Sequence, residues 1–464
     1  MKPFASWRRR HRARSVDYLR RRLVGTVAVV AIFWASLGGV LTLAFAIYPL
    51  RSGGFPVVPR PPYISTNDPI TVVEVGVPPN VPVETKDLDT APRDPSVRLI
   101  AVRPGRVTLV AGGSTVRNIE TPSGAVEIGQ LADVIADPEW IERSGPKKVV
   151  LKSALVSYPG VKLTVGPAVG DLELLNRLGV FLGTNGGGLF FEGVHVHATG
   201  AQSMGNFRPF ILSIGRGDMQ FHRSNVGGLG WDWNGSYGVS WQDGSTGKAI
   251  DSTFQNNFIG VYTARSSGLL FQRCTFRKNY LYGLDPHTYS RHLMIEDSLA
   301  EDNGAHGFIF SEYVRESVIR NSISRGNGEN GIMMDTYSTG NLIYNNRVIG
   351  NVGDGVVTTD SPRNSFQSNV IEGNRVGVRT SRRDARSTVF QGNDVSFNDL
   401  ASENLKIRNG HEGNSVAGNG GQWNPWALKA VWVGIAVALA LSAALLSLHA
   451  RKWRAKSSSL PRAD

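Results

Sequence analysis

From about Ser240 to Asn398, short runs of alternating apolar and polar residues return at a fixed interval, without the three-and-four spacing that a half-buried helix requires. Asparagines mark the interval: Asn257, Asn279, Asn303, Asn327, Asn351, Asn374 and Asn398 stand 22, 24, 24, 24, 23 and 24 residues apart. The text around them recurs as well, in Phe271–Asn279, Ile319–Asn327, Phe366–Asn374 and Phe390–Asn398. A period this short, with no helical pattern and no leucine ladder, predicts a solenoid of about three short strands per coil. Like residues then stack above like at the ~4.8 Å strand spacing. The asparagines are expected to form a hydrogen-bonded ladder at a turn, where αL geometry is open to them. The fold class is therefore all-β, a right-handed parallel β-helix.

Two longer apolar runs near the ends lack this alternation. Leu23 to Tyr48 holds no charge, and its roughly 25 residues at ~1.5 Å each cross a ~30 Å hydrocarbon core. Ala430 to Leu448 spans in the same way. Arg8, Arg9, Arg10 and six further bases precede the first run, and Arg451, Lys452, Arg454 and Lys456 follow the second. The positive-inside rule then places both termini in the cytoplasm.

The organisation expected is a basic tail over 1–22, a transmembrane helix over 23–48, a Pro-rich linker over 49–82 and a β-rich cap with the first coils over 83–189. The β-helix follows over 190–425, then a second transmembrane helix over 429–449 and a basic tail over 450–464. The β-helix is displayed on the periplasmic or extracellular face of the cell membrane. Cleavage near Ala44-Phe45-Ala46, as in a signal peptide, is the alternative for the first run. Within the cap, Val107–Ala111 and Val149–Lys152 read as strands and Gln130–Arg143 as a short helix.

The formal charge of +12 invites a nucleic-acid reading, but fourteen of the 50 basic residues sit in the two tails, with only two of the 38 acidic ones. The stretch between is formally neutral, so no nucleic-acid partner is expected, and topology with an anionic inner leaflet explains the tails. Cys274 is the single cysteine. No intrachain disulfide is possible, and its place five residues before Asn279 makes it a packed turn residue.

A glycine opens one strand of each coil: Gly238, Gly260, Gly283, Gly307, Gly331, Gly355 and Gly377. Four residues on stand Gln242, Ala264, His287, Ser311, Asp335, Thr359 and Ser381, and five on stand Asp243, Arg265, Thr288, Glu312, Thr336, Asp360 and Arg382. Inward positions of a solenoid require aliphatic stacks, so this polar, titratable double column faces outward and lines a groove suited to a long polymer. Trp241, Tyr262, Tyr282 and Tyr289 lie on the same coils as candidates for stacking on sugar rings, with packing beneath loops as the plainer alternative.

Tyr282-Gly-Leu-Asp-Pro-His-Thr288, followed by His306-Gly-Phe-Ile-Phe-Ser311 and Gly331-Ile-Met-Met-Asp335, resembles the periplasmic mannuronan C-5 epimerases of alginate-secreting bacteria, over about Ser236 to Val356. The resemblance implies that the C-5 proton of a uronate within the polymer is removed by a base, and that His287 is that base. A neutral imidazole can accept a proton near pH 7, provided the substrate carboxylate is neutralised. Asp285 then orients or biases the ring. Two positions depart from the family's pattern: Thr288 stands where it has a second aspartate, and Glu312 where an arginine is expected.

The missing cation is assigned to Arg265, one coil before Thr288 and about 5 Å from it by strand spacing. A Ca²⁺ held by Glu312, Asp335 or Asp360 is the alternative, and no other cofactor is expected. Tyr262, Tyr282, Thr288, Tyr289, Glu312, Asp335 and Trp241 complete the site as substrate-binding residues. His306, directly before Gly307, reads as a strand cap rather than a catalytic group.

The function expected is a membrane-tethered modifier of an exported, anionic polysaccharide, a uronate C-5 epimerase working beside a membrane synthase or export complex. The alternatives are a non-catalytic polysaccharide-binding or export scaffold, and a lyase or hydrolase on the same groove. A hydrolase would draw its two carboxylates from Asp285, Glu312 and Asp335.

Overall fold

The apolar side chains expected to face inward do stack, one coil upon the next. Val239, Val261, Leu284, Phe308, Ile332, Val356 and Val378 are register partners in successive parallel strands. All are almost fully buried. The structure is a computed structural model that describes residues 98–420, apart from 122–123, 200–206, 233–234 and 409. The two apolar runs, the Pro-rich linker and both basic tails lie outside the described residues. Among those described, no helix is long and apolar enough to cross a membrane. Every described residue belongs to one compact unit.

Among the described residues, three sheets of 14, 11 and 13 strands, parallel except at the N-terminal ends of the first and third, wind around one main apolar core, with two small clusters outside it. Parallel pairing already begins at Leu99↔Ala154, well before residue 190. The early coils differ in loop length, with register partners as near as 24 and as far as 30 residues apart, as in Asp171↔His195 and His195↔Asn225, which is why their repeat is hidden in the sequence. Later coils settle to 22 to 24. The first sheet runs through Gly238–Gln242, Ile259–Ala264, Leu284–His287, Phe308–Phe310, Ile332–Asp335 and Val356–Thr359.

An antiparallel meander of Arg98–Arg103, Arg106–Ala111 and Ser114–Glu120 and one short helix close the N-terminal end. The expected strands appear as Arg106–Ala111 and Lys148–Leu151. The helix is Ile128–Ile135, not Gln130–Arg143: the Glu127 carboxylate caps Gly129 and Gln130, and Ala136 turns left-handed to end it. Asp137-Pro138 follows, a pair that resists helical continuation, and Arg143 lies in the strand Ile141–Gly145. Ile128, Leu131 and Ile135 press on the core, so the helix shields an end that would otherwise be open to water and to stray strands.

The asparagine ladder is present, with one correction. The ladder residues are buried and point inward. The residues just before them, Asn256, Lys278, Asp302, Gly326, Gly350, Gly373 and Phe397, take the left-handed conformation. From Asn279 on, each ladder asparagine offers its backbone N–H and its side-chain amide to the side-chain oxygen of the next, as in Asn327 to Asn351 at 3.1 and 2.8 Å, while Asn257 gives its backbone N–H to Asn279 and its amide to the Gly260 carbonyl. A second ladder runs through Cys274, Ser298, Ser322, Asn346, Asn369, Asn393 and Asn414. The Cys274 thiol is bound to the Ala249 and Gln272 carbonyls, and burial pushes it up to about 12, so it is an inert packing group. The glycine column is needed for close approach: a Cβ on Gly283 would lie 2.5 Å from the Gly307 carbonyl oxygen.

Candidate active site

Strand alternation sets what faces outward on the first sheet. In Leu284–His287, Leu284 and Pro286 turn inward, while Asp285 and His287 turn outward beside Tyr262 and Ala264 of the preceding coil. The same rule corrects Trp241. It is one residue out of phase with the outward Gln242, packs edge-on against Phe221 and Phe271 in the core, and donates its indole N–H to the Met219 carbonyl at 3.0 Å. It is not a substrate contact.

The next column is a row of corners. Asp243, Arg265, Thr288, Glu312, Thr336 and Asp360 all have positive φ, a conformation unfavourable for the branched Thr288 in particular. Tyr289, Tyr313 and Tyr337 follow with positive φ as well, and their rings stack 4.9 and 5.5 Å apart along the helix axis. Arg383 lies over the Tyr337 ring.

These corners bring three side chains into one hydrogen-bonded line. His287 Nδ1 lies 2.6 Å from Thr288 Oγ1, and that hydroxyl donates to Glu312 Oε2 at 2.9 Å. The hydroxyl proton is committed to Glu312, so Nδ1 must be the donor to Thr288. The lone pair of a neutral ring therefore resides on Nε2. Burial lowers the His287 pKa, and the negative charges of Glu312 and Asp335 pull part of it back. The ring is thus predominantly neutral near pH 7.

Asp285 does not orient the imidazole as expected, because side chains two apart on one strand lie parallel; Thr288 and Glu312 do so instead. Asp285 is 2% exposed, and its Oδ1 has no hydrogen-bond partner. Burial, with a further push from Glu312, holds its carboxyl well above the usual range. Tyr262, its register partner, is buried too, and burial and Asp285 together raise the phenol. The Tyr262 ring sits 5.4 Å from that of His287 and 4.8 Å from that of Tyr237.

Arg265 occupies the predicted coil, with its backbone N–H bound to the Thr288 carbonyl. Its guanidinium is paired with Asp243 at 2.6 Å. Arg291 and Arg315 lie in a separate row of backbone bridges, from Ser267 to Thr339. Glu312, Asp335 and Asp360 stand on successive coils. Among the described residues, the only grouping with the ligand spacing of a metal site is Asp171, His195 and His197.

Tyr282 stacks on His306 at 5.1 Å, away from the strand itself. His306 Nδ1 accepts the Asn330 backbone N–H at 3.3 Å, the backbone role expected of it. Burial lowers its pKa to about 4. A histidine depressed in the folded state contributes stability that is complete above the unfolded value near 6.5 and is lost as pH falls through it toward 4. A shift of this size corresponds to about 3 kcal/mol. The destabilisation caused by His306→Gln in urea unfolding should therefore shrink by that order between pH 7 and pH 4; an equal penalty at both would contradict the assignment.

The right-handed β-helix region matches residues 179–312 and 237–420, together more than half of the chain. The chain belongs to the right-handed β-helix family. Over 227 residues the chain is 30% identical to the mannuronan C5-epimerase AlgG of Azotobacter vinelandii, covering 44% of this chain and 43% of that one. It is also 30% identical over 209 residues to a mannuronan C5-epimerase of Pseudomonas aeruginosa, covering 40% and 38%. The chain thus spans about two fifths of the length of these relatives. Among solved structures, the periplasmic alginate epimerase AlgG superposes with a TM-score of 0.58 at 22% identity, over 64% of this chain and 79% of that one, a likeness of fold.

Proposed function

We propose that the β-helix is a C-5 epimerase acting on the uronate residues of an exported anionic polysaccharide, with His287 Nε2 as the base. The observation that carries this reading is the His287–Thr288–Glu312 line, which fixes the imidazole tautomer on the outer face of the first sheet. The relatives named mannuronan C5-epimerase support it independently.

In the reaction, Nε2 takes the C-5 proton, the C–H electron pair delocalises into the adjacent carboxyl group, and a proton from solvent returns to the opposite face of C-5. Stabilising that charge requires a cation, a role assigned to Arg265 shared between Asp243 and the substrate. Glu312 then acts on the imidazole as the carboxylate of a triad does, by holding the donor side of the ring. Tyr262, Tyr282 and the Tyr289 stack line the path of the polymer. The apolar runs over 23–48 and 429–449 serve as membrane anchors, so that the groove meets the polymer outside the membrane, beside a synthase or export complex.

The test is incubation of the full-length protein with polymannuronate in D₂O. Deuterium at C-5 together with inverted residues is the expected result. Unsaturated ends would point to a lyase, and new reducing ends to a hydrolase. Binding without exchange would point to a scaffold, a reading favoured by the pairing of Arg265 with Asp243.

The pH profile separates the contributions of burial and charge. The base form of His287 is lost as pH falls through its lowered pKa. Glu312→Gln removes the charge that raises this pKa while keeping an acceptor for Thr288, so the acid limb of exchange should move to lower pH. A limb that stays in place would exclude Glu312 from the line.

A further inference from the structure

On the third sheet, in coils that precede the His287 face, Asp171–Leu174 and His195–Ala198 are neighbouring parallel strands. Leu172 and Val196 point into the core, which turns Asp171, Glu173, His195 and His197 outward, with Asp171 beside His195 and Glu173 beside His197. Asp171 Oδ1 is 2.9 Å from His197 Nε2 and 3.7 Å from His195 Nδ1, and the two rings stack 4.6 Å apart. All three atoms lie within 4.8 Å of one another. Edges of about 3.3 Å are expected for a tetrahedron of ~2 Å metal bonds. Lys148 is bonded to Glu173 and lies 3.9 Å from the other oxygen of Asp171, so it leaves Oδ1 to the imidazoles.

The other nitrogen of His197 defines the chemistry. Its Nδ1 lies 3.3 Å from the Ala198 carbonyl oxygen, which only accepts, so Nδ1 carries the proton. In a neutral ring Nε2 is then a lone pair aimed at a carboxylate oxygen, two acceptors 2.9 Å apart. Only a cation between them makes this arrangement favourable. A proton would bridge only two of the atoms, whereas a metal ion uses all three, His195 being brought beside Asp171 by the strand register. A backbone carbonyl fixing the tautomer of a ligating histidine is the usual support of such a site.

We infer that Asp171, His195 and His197 form a binding site for a borderline divalent transition metal, Zn²⁺ foremost, with water completing the coordination. Two imidazoles and one carboxylate select this class over the all-oxygen preference of Ca²⁺ and Mg²⁺. The ion joins two adjacent coils near the capped end, on a different sheet from His287, and the inference is independent of the epimerase reading.

Isothermal titration of the full-length protein with ZnCl₂, and with CaCl₂ for comparison, tests it. One equivalent of Zn²⁺ and no Ca²⁺ should bind. His195→Ala, at an exposed ring that leaves the core untouched, should weaken Zn²⁺ binding at least ~10-fold, and His197→Ala should do the same. Asp171→Asn keeps the shape of the site and provides a second variant if an alanine disturbs folding. Failure of the wild type to bind Zn²⁺, or unchanged binding in His195→Ala and Asp171→Asn, overturns the site.

Discussion

Replacing His287 with alanine should reduce C-5 deuterium incorporation into polymannuronate by roughly 10² to 10⁴-fold, the span that a positioned general base contributes. The side chain is half-buried, and its bond is to Thr288 at the groove surface rather than to the core. Folding and polymer binding should therefore survive, and the loss should fall on turnover rather than on KM. Exogenous imidazole offers a sharper readout, since a base that fits the vacated space should restore part of the exchange in the alanine variant. Exchange at the wild-type rate in His287→Ala would remove this residue from the mechanism, and with it the reading of the Thr288–Glu312 line as its support.

Asn327→Ala should be the most damaging scaffold substitution. The side-chain oxygen of Asn327 accepts both the backbone N–H and the amide of Asn303 at 3.1 and 2.9 Å, and its own amide reaches Asn351 at 2.8 Å. Truncation strands several buried donors and acceptors at once, at about 1–3 kcal/mol each, so a loss of roughly 3–5 kcal/mol is expected. Asn419, at the outer end of the ladder, accepts from Asn398 but has no further asparagine to donate to among the described residues. Asn419→Ala should cost only about 1 kcal/mol. Urea unfolding of the two variants measures the difference; equal midpoints would show that the ladder is not a cooperative element.

Much of the scaffold was legible because a solenoid turns a three-dimensional neighbour relation into a fixed sequence offset. Asn303 meets Asn327 because they are one coil apart, and the same arithmetic placed Ala264 beside His287 and Arg265 beside Thr288. The αL residues were misplaced by one position, since the corner is turned just before the asparagine and not at it. The helix that closes the N-terminal end was expected over Gln130–Arg143 and runs over Ile128–Ile135, because the Glu127 cap starts it earlier and the left-handed Ala136 ends it.

By itself, the sequence determined the repeat, the ladders, the inward apolar stack and the outward polar columns, all of which follow from a period and from strand alternation. Only the tertiary structure decided which way individual groups are turned and what they meet. It sends Trp241 into the core, pairs Arg265 with Asp243, and makes Thr288 and Glu312 the partners of His287. It also brings Asp171 against His195 and His197, in early coils whose register steps vary between 23 and 30 residues, so that no constant period marks the contact in advance. Side-chain direction at a left-handed corner, and contact between coils of unequal length, depend on the packed backbone; a one-dimensional period carries neither.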